Sequence, residues 1–165
     1  MSFVSKILAT DVIDDKFQAE IPVQITAPQP TITCEAASAA LTAAVRHAGS
    51  LGIPVAVAVV DRAGLLVGFL RMPGAPLHCA DIATDKAYTA ASFGLPTHQW
   101  TEVLAQHSEA VRHGLPRRPR FVAFGGGLPI DVASTRIGGI GVSGASEEQD
   151  QQCARAGLDA MGVGE

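Results

Sequence analysis

Between Ile53 and Arg71 the chain doubles back on itself. Ile53 to Val60 is an uncharged run rich in β-branched residues, Asp61-Arg62-Ala63-Gly64 is a turn, and Leu65 to Arg71 is a second apolar run. Two such runs on either side of a short turn predict an antiparallel hairpin. Apolar residues on both sides of each strand predict that both faces of the sheet are covered.

The flanking segments change period. From Thr33, residues Ala37, Leu41, Ala44, Val45 and Ala48 recur at helical spacing, and Gly49 and Gly52 mark the end of that helix. After the hairpin, Leu77 to Ser92 is an alanine-rich helix whose Ala80, Ala83, Ala87 and Ala90 share one face, where small side chains permit close approach to a sheet or a neighbouring subunit. Thr97 is placed to cap a further helix reaching His107, with Trp100, Val103 and Leu104 as its apolar positions. A loop with Pro116 and Pro119 follows. Leu128 to Val132 and Ile137 to Val142 then form a second hairpin around Ser134-Thr135-Arg136. Ser146 and Gln149 have the spacing of a capping box and open a last helix running to Met161. Helix, hairpin, helices, hairpin, helix is not a βαβ alternation. The order predicts an α+β fold with helices packed on an antiparallel sheet.

With 165 residues, 47% of them hydrophobic, the chain can bury one sizeable core in a single domain, residues 33–165. Residues 1–32 contain Pro22, Pro28 and Pro30 and no sustained period; they read as an arm or linker. A formal charge of -4, one Trp and one Tyr argue against a nucleic-acid partner. No apolar stretch approaches the roughly 20 residues that span a bilayer, and Met1 to Asp15 lacks the charge pattern of a secretory signal, so a cytoplasmic protein with no membrane partner is expected. The three cysteines, Cys34, Cys79 and Cys153, match neither a disulfide framework nor a metal pair and are expected to be reduced packing residues.

Four markers stand in a fixed order: Val59-Val60-Asp61-Arg62-Ala63-Gly64, Asp85-Lys86-Ala87-Tyr88-Thr89-Ala90, Gly126-Gly127-Leu128-Pro129-Ile130, and Gly141 through Asp150. Together they resemble the GlcG/HbpS family, also called DUF336, which includes the C-terminal domain of PduO-type proteins. The resemblance covers about residues 33–161. It implies a three-layer α-β-α, profilin-like fold with a central antiparallel sheet, assembling into a homo-oligomer.

The candidate site residues have more than one use. Gly125-Gly126-Gly127 suits a loop whose amides approach a ligand, and equally a tight strand entry; Gly144 lies in the last marker. No Walker or Rossmann signature accompanies them. Lys86 lies among small residues, where a desolvated amine can act as base or nucleophile or pair with a carboxylate. Asp150 lies in the first turn of the last helix, either as a pocket residue or as a helix-dipole partner. Lys86, Asp150 and His78 are the candidates for moving a proton. Arg71, His98 and Arg118 join the glycines as candidate ligand contacts. The seam between Lys86, the glycines and the last helix is expected to accept a modest organic anion. Arg112, His113, Arg117, Arg118 and Arg120 form a local basic patch suited to carboxylates. The histidines have no compact metal spacing, so no metal site is expected beyond a possible haem iron.

The resemblance implies a small-ligand-binding protein whose ligand is haem or another tetrapyrrole, with the basic patch on the propionates and a histidine on iron. The sequence contains no CxxCH motif, so attachment is expected to be noncovalent. The alternatives are an enzyme (tautomerase, hydratase or hydrolase) acting on a small carboxylate in a catabolic pathway, with arginines on the carboxylate and Lys86, a histidine or Asp150 on the proton, and a non-catalytic oligomeric accessory protein.

Overall fold

A computed structural model describes residues 23–163. Among these are five helices and a four-stranded antiparallel sheet, with the three long helices packed on the sheet. The helices are α1 (Cys34–Ser50), α2 (Cys79–Phe93), α3 (Trp100–Ala105), α4 (Glu109–Gly114) and α5 (Glu147–Asp159). The strands are β1 (Ala56–Asp61), β2 (Leu66–Arg71), β3 (Gly127–Val132) and β4 (Thr135–Ser143), in the order β2-β1-β4-β3.

Alternation along β1 sorts its residues between two layers. Val57 and Val59 point into the larger core, shared with Ile140 and Val142 of β4 and the buried residues of α1 and α5. Ala56, Ala58 and Val60 face Ala83, Ala87 and Ala91 of α2. β4 follows the same rule with glycine on the α2 side: a Cβ at Gly139 would lie 2.4 Å from the Ala87 carbonyl oxygen, and one at Gly141 2.0 Å from that of Ala83. Alanines on the helix therefore meet glycines on the strand, and the backbones approach too closely for any larger pair.

The expected hairpins are present, with shifted edges. β1 begins at Ala56 because Pro54 has no N–H to give a ladder. Asp61 closes the turn, its Oδ1 accepting from the Leu65 amide at 2.9 Å. Of the two strands, only β1 is covered on both faces; β2 lies at the sheet edge, with Leu66 and Leu70 exposed. The second turn falls at Ala133 and Ser134, which both have positive φ (47° and 65°), as a two-residue primed hairpin turn requires. That turn lies one residue ahead of the expected position, and β4 gains Thr135 and Arg136.

Caps define the long helices. The Thr33 hydroxyl accepts from the Ala36 amide at 3.2 Å, Gly94 ends α2 in the left-handed conformation, and the Ser146–Gln149 capping box opens α5. Thr97 does not cap a helix. It lies in a 3-10 turn, Thr97–Gln99, and its buried hydroxyl accepts from the Gly127 amide at 2.9 Å. The helix expected to reach His107 stops at Ala105, and α4 occupies part of the expected loop without burying a residue. Of the proposed arm, residues 1–22 lie outside the described residues. Residues 23–31 are exposed, and Ile32 is buried with its amide on the Ile137 carbonyl.

Candidate functional site

Two places in the fold concentrate polar chemistry, and the first is the seam expected from the sequence. Lys86, on the sheet-facing side of α2, is 1% exposed. Its Nζ donates to the Val142 carbonyl and to Asp150 Oδ2, each at 2.8 Å, and lies 5.0 Å from the centre of the Phe124 ring. Asp150 stands in the first turn of α5, and its second oxygen accepts from the Ala145 amide at 3.1 Å. Burial pulls the Lys86 amine below the usual lysine range and pushes the Asp150 carboxyl above the usual carboxylate range, while their mutual contact opposes both displacements. Alongside, Glu147 Oε2 accepts from the Gly125 amide at 2.6 Å.

The glycines serve this pair. Gly126 has φ +110°, and a Cβ there would lie 2.8 Å from Lys86 Nζ and 2.8 Å from Asp150 Cβ. A Cβ at Gly127 would meet Thr97 Cγ2 at 2.6 Å. At Gly144 it would meet the Pro54 carbonyl oxygen at 2.4 Å. The space that a Cβ would take at these glycines is thus filled by the chain itself. What approaches Gly125, Gly126 and Gly127 is Lys86, Asp150, Thr97 and Glu147, and what approaches Gly144 is Pro54 and Val55. The Lys86–Asp150 pair ties α2 in one layer to α5 in the other.

The remaining expected residues are dispersed. His78 is exposed just before α2. Arg71 is exposed at the end of β2 and donates to the Ala75 carbonyl, fastening the following turn. His98 is exposed on the rim of a groove of about 480 Å³ that also touches Glu147, Gln151 and Arg155 of α5. Arg118 lies on a second groove, of about 450 Å³, with Tyr88, Phe93, Leu115, Arg120 and Phe121. The basic residues are solvent-facing: Arg112 and His113 are exposed in the last turn of α4, and Arg117 and Arg118 are exposed between α4 and β3. Among the described residues no three His, Cys, Asp or Glu side chains gather as a metal site. No helix there is long and apolar enough to cross a membrane.

Sequence reasoning missed the aromatic side of the second groove. Phe93, Trp100 and Phe121 meet edge to face, with ring centres 4.8 to 5.9 Å apart. Arg120 lies 3.7 Å over the Tyr88 ring and bonds Asp85 Oδ1 through Nε at 2.9 Å. Arg120 has φ 66°, unusual for a residue with a side chain, and that value has no local sequence signal.

Comparison with known proteins places the chain. The family described as haem degrading protein HbpS-like matches residues 32–159. An uncharacterized 15.0 kDa protein from the dhaT-dhaS intergenic region of Citrobacter freundii is 36% identical over 129 residues, 78% of this chain and 91% of that protein. The corrinoid adenosyltransferase PduO of Salmonella typhimurium is 37% identical over 124 residues, 74% of this chain; the chain spans about a third (36%) of that protein's length. Among solved structures, PduOC in complex with heme superposes with a TM-score of 0.74 at 34% identity, covering 81% of this chain and 97% of that one.

Proposed function

We propose that this chain, which belongs to the HbpS-like family, binds haem or a related tetrapyrrole without a covalent bond. The observation that carries the reading is the likeness, over most of both chains, to PduOC in complex with heme.

The residues present fit such a group. A tetrapyrrole offers two carboxylates and a metal that takes an imidazole nitrogen. The last turn of α4 and the exposed segment after it supply Arg112 and Arg117, whose guanidinium forks match carboxylates. His113 is exposed in the last turn of α4, with its Nε2 3.7 Å from Glu109 Oε1, and His98 is exposed on the rim of the α5 groove; either imidazole can reach an iron from solvent. His47 differs, because its Nε2 is buried and has no hydrogen-bond partner among the described residues. Bound haem supplies a redox-active iron; the chain supplies anchoring and the ligand nitrogen. The Lys86–Asp150 pair is buried, so this reading assigns it no contact with the ligand.

Titration of the purified protein with hemin tests the reading. A saturable Soret shift is expected, lost in one of the variants His47→Ala, His98→Ala or His113→Ala. Replacing Arg112 and Arg117 with Gln should weaken binding about tenfold, the scale of one charge-assisted hydrogen bond. A Soret band identical to free hemin at every ratio would overturn the proposal.

A further inference from the structure

The second groove carries chemistry to which the haem reading above assigns no role. We propose that it is a binding site for a small aromatic carboxylate, a ligand distinct from the tetrapyrrole.

The groove opens between α2 and the segment from Leu115 to Phe121, and its volume of about 450 Å³ falls in the range of small-molecule sites. Its walls are apolar and flat: Phe93 is 48% exposed toward solvent, and Phe121, Tyr88 and Leu115 continue the surface. Its charged groups are of one sign, the Arg118 and Arg120 guanidiniums, and its other polar side chains are the neutral hydroxyl residues Tyr88, Thr89 and Ser92.

The two arginines are held differently. Arg120 is built in. Its backbone takes the left-handed conformation at φ 66°, which in a non-glycine residue is strained and persists only where surroundings enforce it. The enforcing group is Thr89, 1% exposed, which donates to the Arg120 carbonyl at 2.8 Å and accepts from the Val122 amide at 3.1 Å. Stacking on Tyr88 and the bond to Asp85 then fix the guanidinium. Asp85 balances the charge of Arg120, whereas Arg118 forms no ion pair among the described residues. Among the described residues the site therefore holds one uncompensated cation beside exposed aromatic surface. An anion with a planar apolar body satisfies both parts: its carboxylate on Arg118, its ring against Phe93 and Phe121. Inorganic phosphate would leave the rings uncovered, and an aromatic amine would meet a like charge.

The chain's single tryptophan makes the test direct. Trp100 packs edge-on against both Phe93 and Phe121, at 4.8 and 4.9 Å between ring centres, so a ligand on those rings alters its emission. The full-length protein is titrated with benzoate, benzylamine and cyclohexanecarboxylate, following Trp100 fluorescence and heat of binding in parallel. Benzoate should bind saturably with a Kd on the order of 1 mM or tighter. Cyclohexanecarboxylate should bind more weakly, and benzylamine should not bind. Arg118→Gln, an exposed change that leaves the core alone, should weaken benzoate about tenfold, and Arg118→Lys should recover part of the loss. The proposal is overturned by the absence of saturable benzoate binding, by equal binding of benzylamine, or by wild-type affinity in Arg118→Gln. None of these outcomes alters the Soret titration, so the two proposals fail separately.

Discussion

Gly126 measures how little space remains where α2, β4 and α5 converge. Its φ of +110° disfavours any side chain, and a methyl group would meet the Val142 carbonyl oxygen at 2.6 Å as well as the Lys86–Asp150 pair. Gly126→Ala is expected to destabilise the protein by about 3 kcal/mol, from backbone strain and overpacking together. Gly49→Ala in α1, where nothing lies within 4 Å, should instead stabilise by about 0.5 kcal/mol through helix entropy alone. Urea midpoints of the two variants provide the comparison, and a Gly126→Ala midpoint equal to wild type would contradict the closed seam. The glycine run was conspicuous in the sequence, but its partner was not legible. Absence of a side chain admits a ligand and a neighbouring lysine equally well, and nothing near residues 125–127 in the chain distinguishes them.

At the scale of elements, the Lys86–Asp150 pair fastens helices from opposite layers. Removing one partner leaves a buried charge without compensation, which costs about 3–5 kcal/mol. Lys86→Met and Asp150→Leu should each lower the unfolding free energy by that order: the first strands the Asp150 carboxylate, the second the Lys86 amine. The double variant should recover much of the loss, because two apolar groups need no partner. Additive losses in the double variant would mean that the two groups act independently. The elements themselves were legible where a cap and a period coincide, as in α1 with Thr33 and α5 with Ser146 and Gln149. They were not legible at α4, which buries no residue and so shows no apolar stripe. Nor was the turn at Ala133 and Ser134, whose positive φ angles fall on residues without a preference for them.

Over the whole molecule, the sheet divides the interior into a larger core under α1 and α5 and a smaller one under α2. Cys153, fully buried in the larger core, reports on the integrity of that interior. Burial first, then the nearby Asp150 charge, raises its thiol from the ordinary 9.0 to about 11. Because the folded value is the higher, the thiol's contribution is intact below pH 9 and is lost as pH rises toward 11, where only the unfolded chain ionises freely. The shift corresponds to about 3 kcal/mol. Urea unfolding at pH 8 and at pH 11 should therefore show the difference between wild type and Cys153→Ala shrinking by that order. A constant difference would place the thiol in contact with water. The sequence by itself determined what is encoded over a turn or two of chain: helix caps, the two hairpins, their non-alternating order and, through four ordered markers, the family. Packing alone decided that Lys86 meets Asp150 across 64 positions, and that Phe93 and Arg118 line one groove. Contacts between distant residues depend on how layers stack and what space they leave, and neither quantity is carried by any local stretch of residues.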